Sequence, residues 1–251
     1  MGKNYLIIGA TSGIGEACVH KLASDSDHFL LVGRNKDKLE ALKQQYAEKA
    51  TITPICYDLM DLDHMDTIFD KCTENQIKLD GMVYSAGMDG TWPIKVNNTK
   101  QMVQMMTVNC FAFVETARKF YSTRVSKEAS SIIAISSTAS LMPDVGMSSY
   151  SASKAALNSY VKTMAKEFIR RKIRVNAILP GAVSTPMTKE KENLLTNIAS
   201  TGKQFSSASD HVQQLGLIPS DIIAAYVEFL LSDQSYYTTG ELITIGAGRV
   251  Y

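Results

Sequence analysis

Little in this chain marks a secreted, metal-binding or membrane protein. Cys18, Cys56, Cys72 and Cys110 are scattered, with no Cys-x-x-Cys pair. Neither a disulfide framework nor a zinc site is expected, and the four read as buried thiols of a reducing compartment. His20, His28, His64 and His211 are equally dispersed, so no metal is predicted. No apolar run approaches the roughly 20 residues that span a bilayer. With a net charge of +1, nothing suggests an electrostatic grip on nucleic acid or on an anionic membrane. Met1-Gly2-Lys3-Asn4 runs straight into a strand-like segment, which leaves no room for a signal peptide and predicts a cytoplasmic protein. Leu6 stands where a myristoylation signal needs Ser or Thr. Linkers, internal repeats and low-complexity tracts are missing too, so residues 1–251 are expected to form a single domain.

What is present alternates. Short apolar or β-branched runs are separated by longer helical patterns. Strands are predicted at Tyr5–Ile8, Phe29–Val32, Thr51–Cys56, Gly81–Tyr84, Ser131–Ile135, Arg174–Leu179 and Leu242–Ile245. Helices are predicted at Ile14–Ala23, Lys36–Lys49, near Leu62–Cys72, over Asn98–Tyr121, from about Ser149 to Arg171, and at Ser220–Leu231. Continuously apolar strands separated by helices imply a parallel sheet covered on both faces. Right-handed crossovers then make an α/β, doubly wound parallel sheet, the Rossmann arrangement. The irregular stretch 188–219, rich in Ser, Thr, Lys and Gln, is predicted to be a small mobile substrate lid.

Between the first strand and first helix lies Gly9-Ala10-Thr11-Ser12-Gly13-Ile14-Gly15. A loop in that position aims backbone N–H groups and a helix dipole at an anion. Gly9 suits a tight turn, Gly13 admits a phosphate, and Gly15 lets the helix approach the strand. Alone, the same glycines could form a turn that binds nothing. After the second strand comes Gly33-Arg34-Asn35-Lys36, with no acid to hold a ribose 2′-hydroxyl. Arg34 can bind the 2′-phosphate of NADP and stack on adenine, with Ser12 as a second donor. Outside this context Arg34 would read as a solvated surface residue.

Tyr150 and Lys154 stand four apart at the start of a helical pattern, and Ser137 precedes the tyrosine by thirteen residues. Chance alone yields about one Tyr-x-x-x-Lys in a chain of this composition, so context carries the argument. The spacing puts both side chains on one helix face. A phenol is a poor acid or base near neutrality, and a neighbouring ammonium is expected to lower its pKa. The pair is therefore suited to proton transfer.

Taken with these patterns, Asp58-Leu59, Ser85-Ala86-Gly87, Asn109, Arg174-Val175-Asn176-Ala177 and Pro180-Gly181-Ala182-Val183-Ser184-Thr185 complete an ordered set. Across its whole length the chain resembles the short-chain dehydrogenase/reductase family. The resemblance implies that Tyr150 donates a proton to a carbonyl oxygen, that Ser137 hydrogen-bonds the same oxygen, and that Lys154 binds the nicotinamide ribose and depresses the tyrosine pKa. Asn109 would position a water linking Lys154 to solvent, or bond backbone from within a helix, or both. NADP(H) is the implied cofactor, contacted by Gly9, Thr11, Ser12, Gly13, Ile14, Gly15, Arg34, Asp58, Leu59, Ser85, Ala86, Gly87, Tyr150, Lys154, Pro180, Gly181, Val183 and Thr185. Three positions depart from the family's pattern: Ile8 replaces a threonine, Tyr84-Ser85 an asparagine pair, and Gly246-Ala247-Gly248 an Asp-Gly-Gly.

The reading is NADPH-dependent reduction of a carbonyl, either a ketone or a 3-oxoacyl thioester. Its alternatives are an NAD(P)-dependent alcohol, steroid or sugar dehydrogenase and a non-catalytic NADP-binding regulatory protein; a nucleotide-sugar epimerase fits the glycine spacing less well. Met88, Met142, Met147, Trp92 and Met187 are candidates for a soft substrate pocket, although such methionines more often fill packing gaps. Arg170-Arg171-Lys172 is a candidate dock for an acidic acyl carrier protein, against the simpler reading of cations favoured at a helix C-terminus. A homo-oligomer, dimer or tetramer, is expected through the helices holding Asn109 and Tyr150.

Overall fold

The structure is a computed structural model that describes residues 2–24, 27–188 and 213–248. Seven parallel strands form one sheet: β1 (Asn4–Ile8), β2 (Asp27–Gly33), β3 (Ala50–Cys56), β4 (Leu79–Tyr84), β5 (Ser126–Ile135), β6 (Arg174–Pro180) and β9 (Leu242–Ile245), in the order β3-β2-β1-β4-β5-β6-β9. Two short strands, β7 (Val183–Ser184) and β8 (Ile218–Pro219), pair apart from it. The order reverses between β1 and β4. In a parallel sheet this opens a crevice beyond the carboxyl ends of those strands.

Helices cover both faces: α1 (Gly13–Leu22), α2 (Lys36–Gln45), α3 (Asp66–Glu74), α4 (Thr99–Met106), α5 (Ala112–Phe120), α6 (Ser148–Phe168) and α7 (Ser220–Leu231). Strand residues alternate between two cores. Leu6, Ile8, Leu30, Met82, Tyr84 and Ile132 pack with Phe113, Phe120, Leu157 and Val161 on one face. Tyr5, Ile7, Phe29, Leu31, Val83 and Ile133 pack with Val19, Leu39, Ile223 and Val227 on the other. Each such side chain contributes roughly 1.5–3 kcal/mol by leaving water. Asn35 caps α2 by accepting from the Lys38 N–H at 3.0 Å, and a reciprocal Asn98–Gln101 box starts α4.

The structure departs from the sequence expectation in several places. The helix expected over 98–121 is interrupted at Thr107–Phe111 by a π-helical turn, which re-aims Asn109. β5 begins five residues early, because exposed Lys127 and Glu128 hide a strand whose register shifts between Leu79 and Gly81. Cys56 is exposed at the end of edge strand β3, while Cys18, Cys72 and Cys110 are buried as expected. Of the 188–219 segment assigned to a lid, residues 189–212 lie outside the described residues. No helix among the described residues is long and apolar enough to cross a membrane, and no group of His, Cys, Asp or Glu among them could hold a metal.

Candidate active site

The crevice at the strand ends is a cavity of about 490 Å³. The loop from Gly9 to Ile14 forms one wall. Gly9 adopts φ +86°, and a Cβ there would come within 2.6 Å of the Ala86 backbone nitrogen, so the turn fits against the loop after β4 only without a side chain. A Cβ on Gly15 would collide with the Gly9 carbonyl oxygen. Gly15 thus sits behind the loop, where it seats α1, and does not line the cavity. Ser12 precedes α1 without capping it through its side chain, which leaves the hydroxyl available at the helix N-terminus.

The same cavity reaches Arg34, Asp58, Leu59, Ser85, Ala86 and Gly87. Arg34 is exposed and makes no ion pair with any described residue, so its guanidinium is available to an anion. Lys38, one turn on, donates to Thr11 O at 3.1 Å and ties α2 to the glycine loop. An anionic dinucleotide suits this donor set: a bare helix N-terminus, a spare hydroxyl and an unpaired guanidinium in one groove. Where the family pattern has an asparagine pair, Tyr84 is buried edge-on to Phe113 and donates to Val108 O, while Ser85 N–H bonds Ile8 O at 2.9 Å. A phenol does the tying.

At the far end Ser137, Tyr150 and Lys154 meet. Tyr150 and Lys154 open the same face of α6, and the Lys154 Nζ lies 6.0 Å from the tyrosine ring centre. Ser137 follows β5, and its hydroxyl is within hydrogen-bonding reach of Tyr150 while accepting from Ala139 N–H at 3.1 Å. The buried Lys154 ammonium donates to Ile135 O at 2.8 Å. Burial pushes the Tyr150 phenol up to about 12, the Ser137 hydrogen bond opposes this and the Asp89 carboxylate adds to it. Burial likewise pulls Lys154 down to about 8, against the pull of Cys110 and Asp89. The expected depression of the tyrosine pKa by Lys154 is therefore not found. Desolvation of the phenolate sets the direction, and Lys154 makes no contribution that offsets it.

Asn109 is fully buried and its two amide hydrogens are spent, one on Met88 O at 3.0 Å and one on Ser153 Oγ at 2.9 Å. Its Oδ1 accepts from Met88 N–H at 2.7 Å. The side chain thus bonds backbone, as one of the two expected roles has it, and braces the loop after β4. Pro180, Gly181, Val183 and Thr185 line the wall beside the glycine loop, with the Thr188 hydroxyl donating to Val183 O at 2.6 Å.

Met88, Met147 and Met187 line the cavity, whereas Met142 and Trp92 do not. Two of the three basic residues after α6 are engaged within the chain, and Arg170 is exposed. Arg171 donates to Tyr121 O and to Ser126 O and Oγ and stacks on the Tyr121 ring at 5.5 Å, and Lys172 pairs with Glu128 at 3.4 Å. These side chains brace the start of β5. Sequence reasoning missed Asp89, Asp144 and Gln213, all of which line the cavity. Asp89 had a signal, an acid two residues beyond the Ala86-Gly87 turn; Gln213 had none.

Comparison with known proteins agrees with this architecture. The short chain dehydrogenase family matches residues 3–195. The chain is 28% identical over 250 residues to a 3-oxoacyl-acyl-carrier-protein reductase of Thermotoga maritima, covering 99% of this chain and 98% of that protein. It is 30% identical over 239 residues to a benzil reductase ((S)-benzoin forming) of Saccharomyces cerevisiae, covering 92% and 90%. A solved 4-hydroxyisoleucine dehydrogenase complexed with NADH superposes with a TM-score of 0.80 at 25% identity, covering 98% of each chain. An unbroken match over most of the length, on a seven-stranded parallel sheet with its crevice at the β1/β4 switch, makes this chain a member of the short-chain dehydrogenase/reductase family of oxidoreductases.

Proposed function

We propose that this chain reduces a carbonyl compound, a ketone or a 3-oxoacyl thioester, to the alcohol with NADPH. The observation that carries the reading is the convergence of Ser137, Tyr150 and Lys154 on a cavity whose other end holds the glycine loop and Arg34. A reduced nicotinamide, when bound, supplies the hydride. The remaining work falls to side chains. Gly9, Thr11, Gly13 and Ile14 bind the pyrophosphate through backbone, with Gly15 seating the helix behind them, and Arg34 and Ser12 take the 2′-phosphate. Asp58 and Leu59 flank the adenine, and Ser85, Ala86 and Gly87 leave room for its ribose. Pro180, Gly181, Val183 and Thr185 orient the carboxamide.

Tyr150 holds the proton that the carbonyl oxygen needs. The phenol is protonated near neutrality, the form that can give a proton in reduction. Ser137 donates to the same oxygen as charge develops. Lys154 holds the ribose hydroxyls, and Asn109 fixes the loop facing them. For a 3-oxoacyl substrate, an acyl carrier protein is the partner class consistent with the reading.

The test is a panel of ketones, diketones and acyl thioesters followed by NADPH absorbance, with Tyr150→Phe beside the wild type. Turnover should fall at least about 100-fold in the variant, the range general acids supply, with NADPH affinity nearly intact. A variant that turns over normally removes Tyr150 from the mechanism.

A further inference from the structure

The loop between β6 and β7 is held by a side chain from a distant part of the chain. Gln213 lies 31 positions beyond Ala182 in sequence, yet its carboxamide meets that residue's backbone twice. Its Oε1 accepts from the Ala182 N–H at 2.7 Å, and its Nε2 donates to Ala182 O at 2.9 Å. The same Nε2 donates to Gly216 O at 2.5 Å, so both amide hydrogens are used. The side chain behaves as a neighbouring strand residue would, offering donor and acceptor together. It also lies flat on the turn: a Cβ on Gly181 would come within 2.5 Å of Gln213 Oε1. Ala182 O is secured further by Ile218 N–H at 3.0 Å, where β7 meets β8. Gln213 itself lines the cavity, as do Gly181, Ala182 and Val183.

We propose that Gln213 is a positioning residue that fixes the backbone direction of the Pro180–Thr185 loop and, through that loop, the seat of the nicotinamide ring. The proposal rests on the dinucleotide reading above and goes beyond it by assigning a residue outside the matched pattern. Two bonds to one residue's N–H and C=O leave that stretch of backbone little freedom to turn, and Val183 and Thr185 follow it directly. Without the carboxamide, Ala182 N–H loses its acceptor, and the wall facing the nicotinamide end slackens while the glycine loop and Arg34, on other elements, keep their positions.

The test compares two ligands that differ at that end alone. Wild type, Gln213→Leu and Gln213→Glu are titrated calorimetrically with NADPH and with 2′-phospho-ADP-ribose, which keeps both riboses and lacks the nicotinamide. Each variant should lose about tenfold in NADPH affinity, the change expected from one ordinary net hydrogen bond, and hold the fragment within about twofold. Retained fragment binding is itself the proof that the variants fold. Equal losses for both ligands, or no loss for either, overturn the proposal. A carboxylate at 213 cannot donate to Ala182 O, whereas a carboxylic acid can. Wild type that binds neither ligand would instead sink the dinucleotide reading itself.

Discussion

Lys154 lets the cost of the proposed chemistry be measured as stability. Its ammonium is buried, and that burial draws its pKa from the ordinary 10.5 to about 8. A fall of this size corresponds to about 3 kcal/mol of disfavoured charge. Because a depressed base binds fewer protons folded than unfolded, the penalty is complete below pH 8, fades between pH 8 and 10.5, and is gone above. Replacing Lys154 by Met keeps the apolar stem and removes the charge. It also strips the donor from Ile135 O, at 2.8 Å in the wild type, which takes back about 1 kcal/mol. The variant should therefore be about 2 kcal/mol more stable at pH 7, or roughly 4–8 °C in Tm, while losing turnover. Urea titrations at pH 7 and pH 10, at matched protein concentration and without nucleotide, measure the effect. A variant less stable than wild type at pH 7, or an advantage that does not shrink at pH 10, would refute the reasoning.

Two further outcomes are expected. Arg34→Ala should weaken NADPH about 10- to 100-fold and NADH by less than about threefold, since a charge-assisted phosphate contact is lost only for the former; equal losses in the two titrations contradict the phosphate role. A homo-oligomer is expected in solution, because Ile222, Tyr226 and Phe229, spaced along one face of α7, are 42% to 44% exposed, and an exposed apolar face suits contact with another chain. Light scattering at micromolar concentration giving the mass of one 27.6 kDa chain would reject this.

Much of the architecture was legible because the strands are buried on both faces. Leu30-Leu31-Val32 and Ile132-Ile133-Ala134 are apolar without alternation, so they could be read as central strands even though consecutive residues serve different helices. The glycine loop and the Tyr150/Lys154 pair were legible because short-range spacing fixes their geometry. What escaped depends on distance or on local irregularity. The π-helical turn at Thr107–Phe111 breaks no sequence rule, since its residues suit an α-helix equally well. The early start of β5 is masked by polar side chains and by Ala129 at φ +60°. Gln213 could not be found, because its partner is a backbone brought near only by the completed fold. The direction of the tyrosine shift was missed because a sequence shows the neighbouring cation and not the depth at which both groups lie.

The bracing by Asn109 constrains how this site can change. Asn109 grips Met88 at both its N–H and its C=O and donates to Ser153, whose hydroxyl in turn donates to Tyr150 O at 2.7 Å. The wall bearing the Met88 side chain and the backbone bearing the phenol are thereby joined through a single carboxamide. A smaller or larger side chain at position 88 resizes the chamber without retuning the distance between its floor and its acid. Substrate range can drift there while the proton donor stays in register.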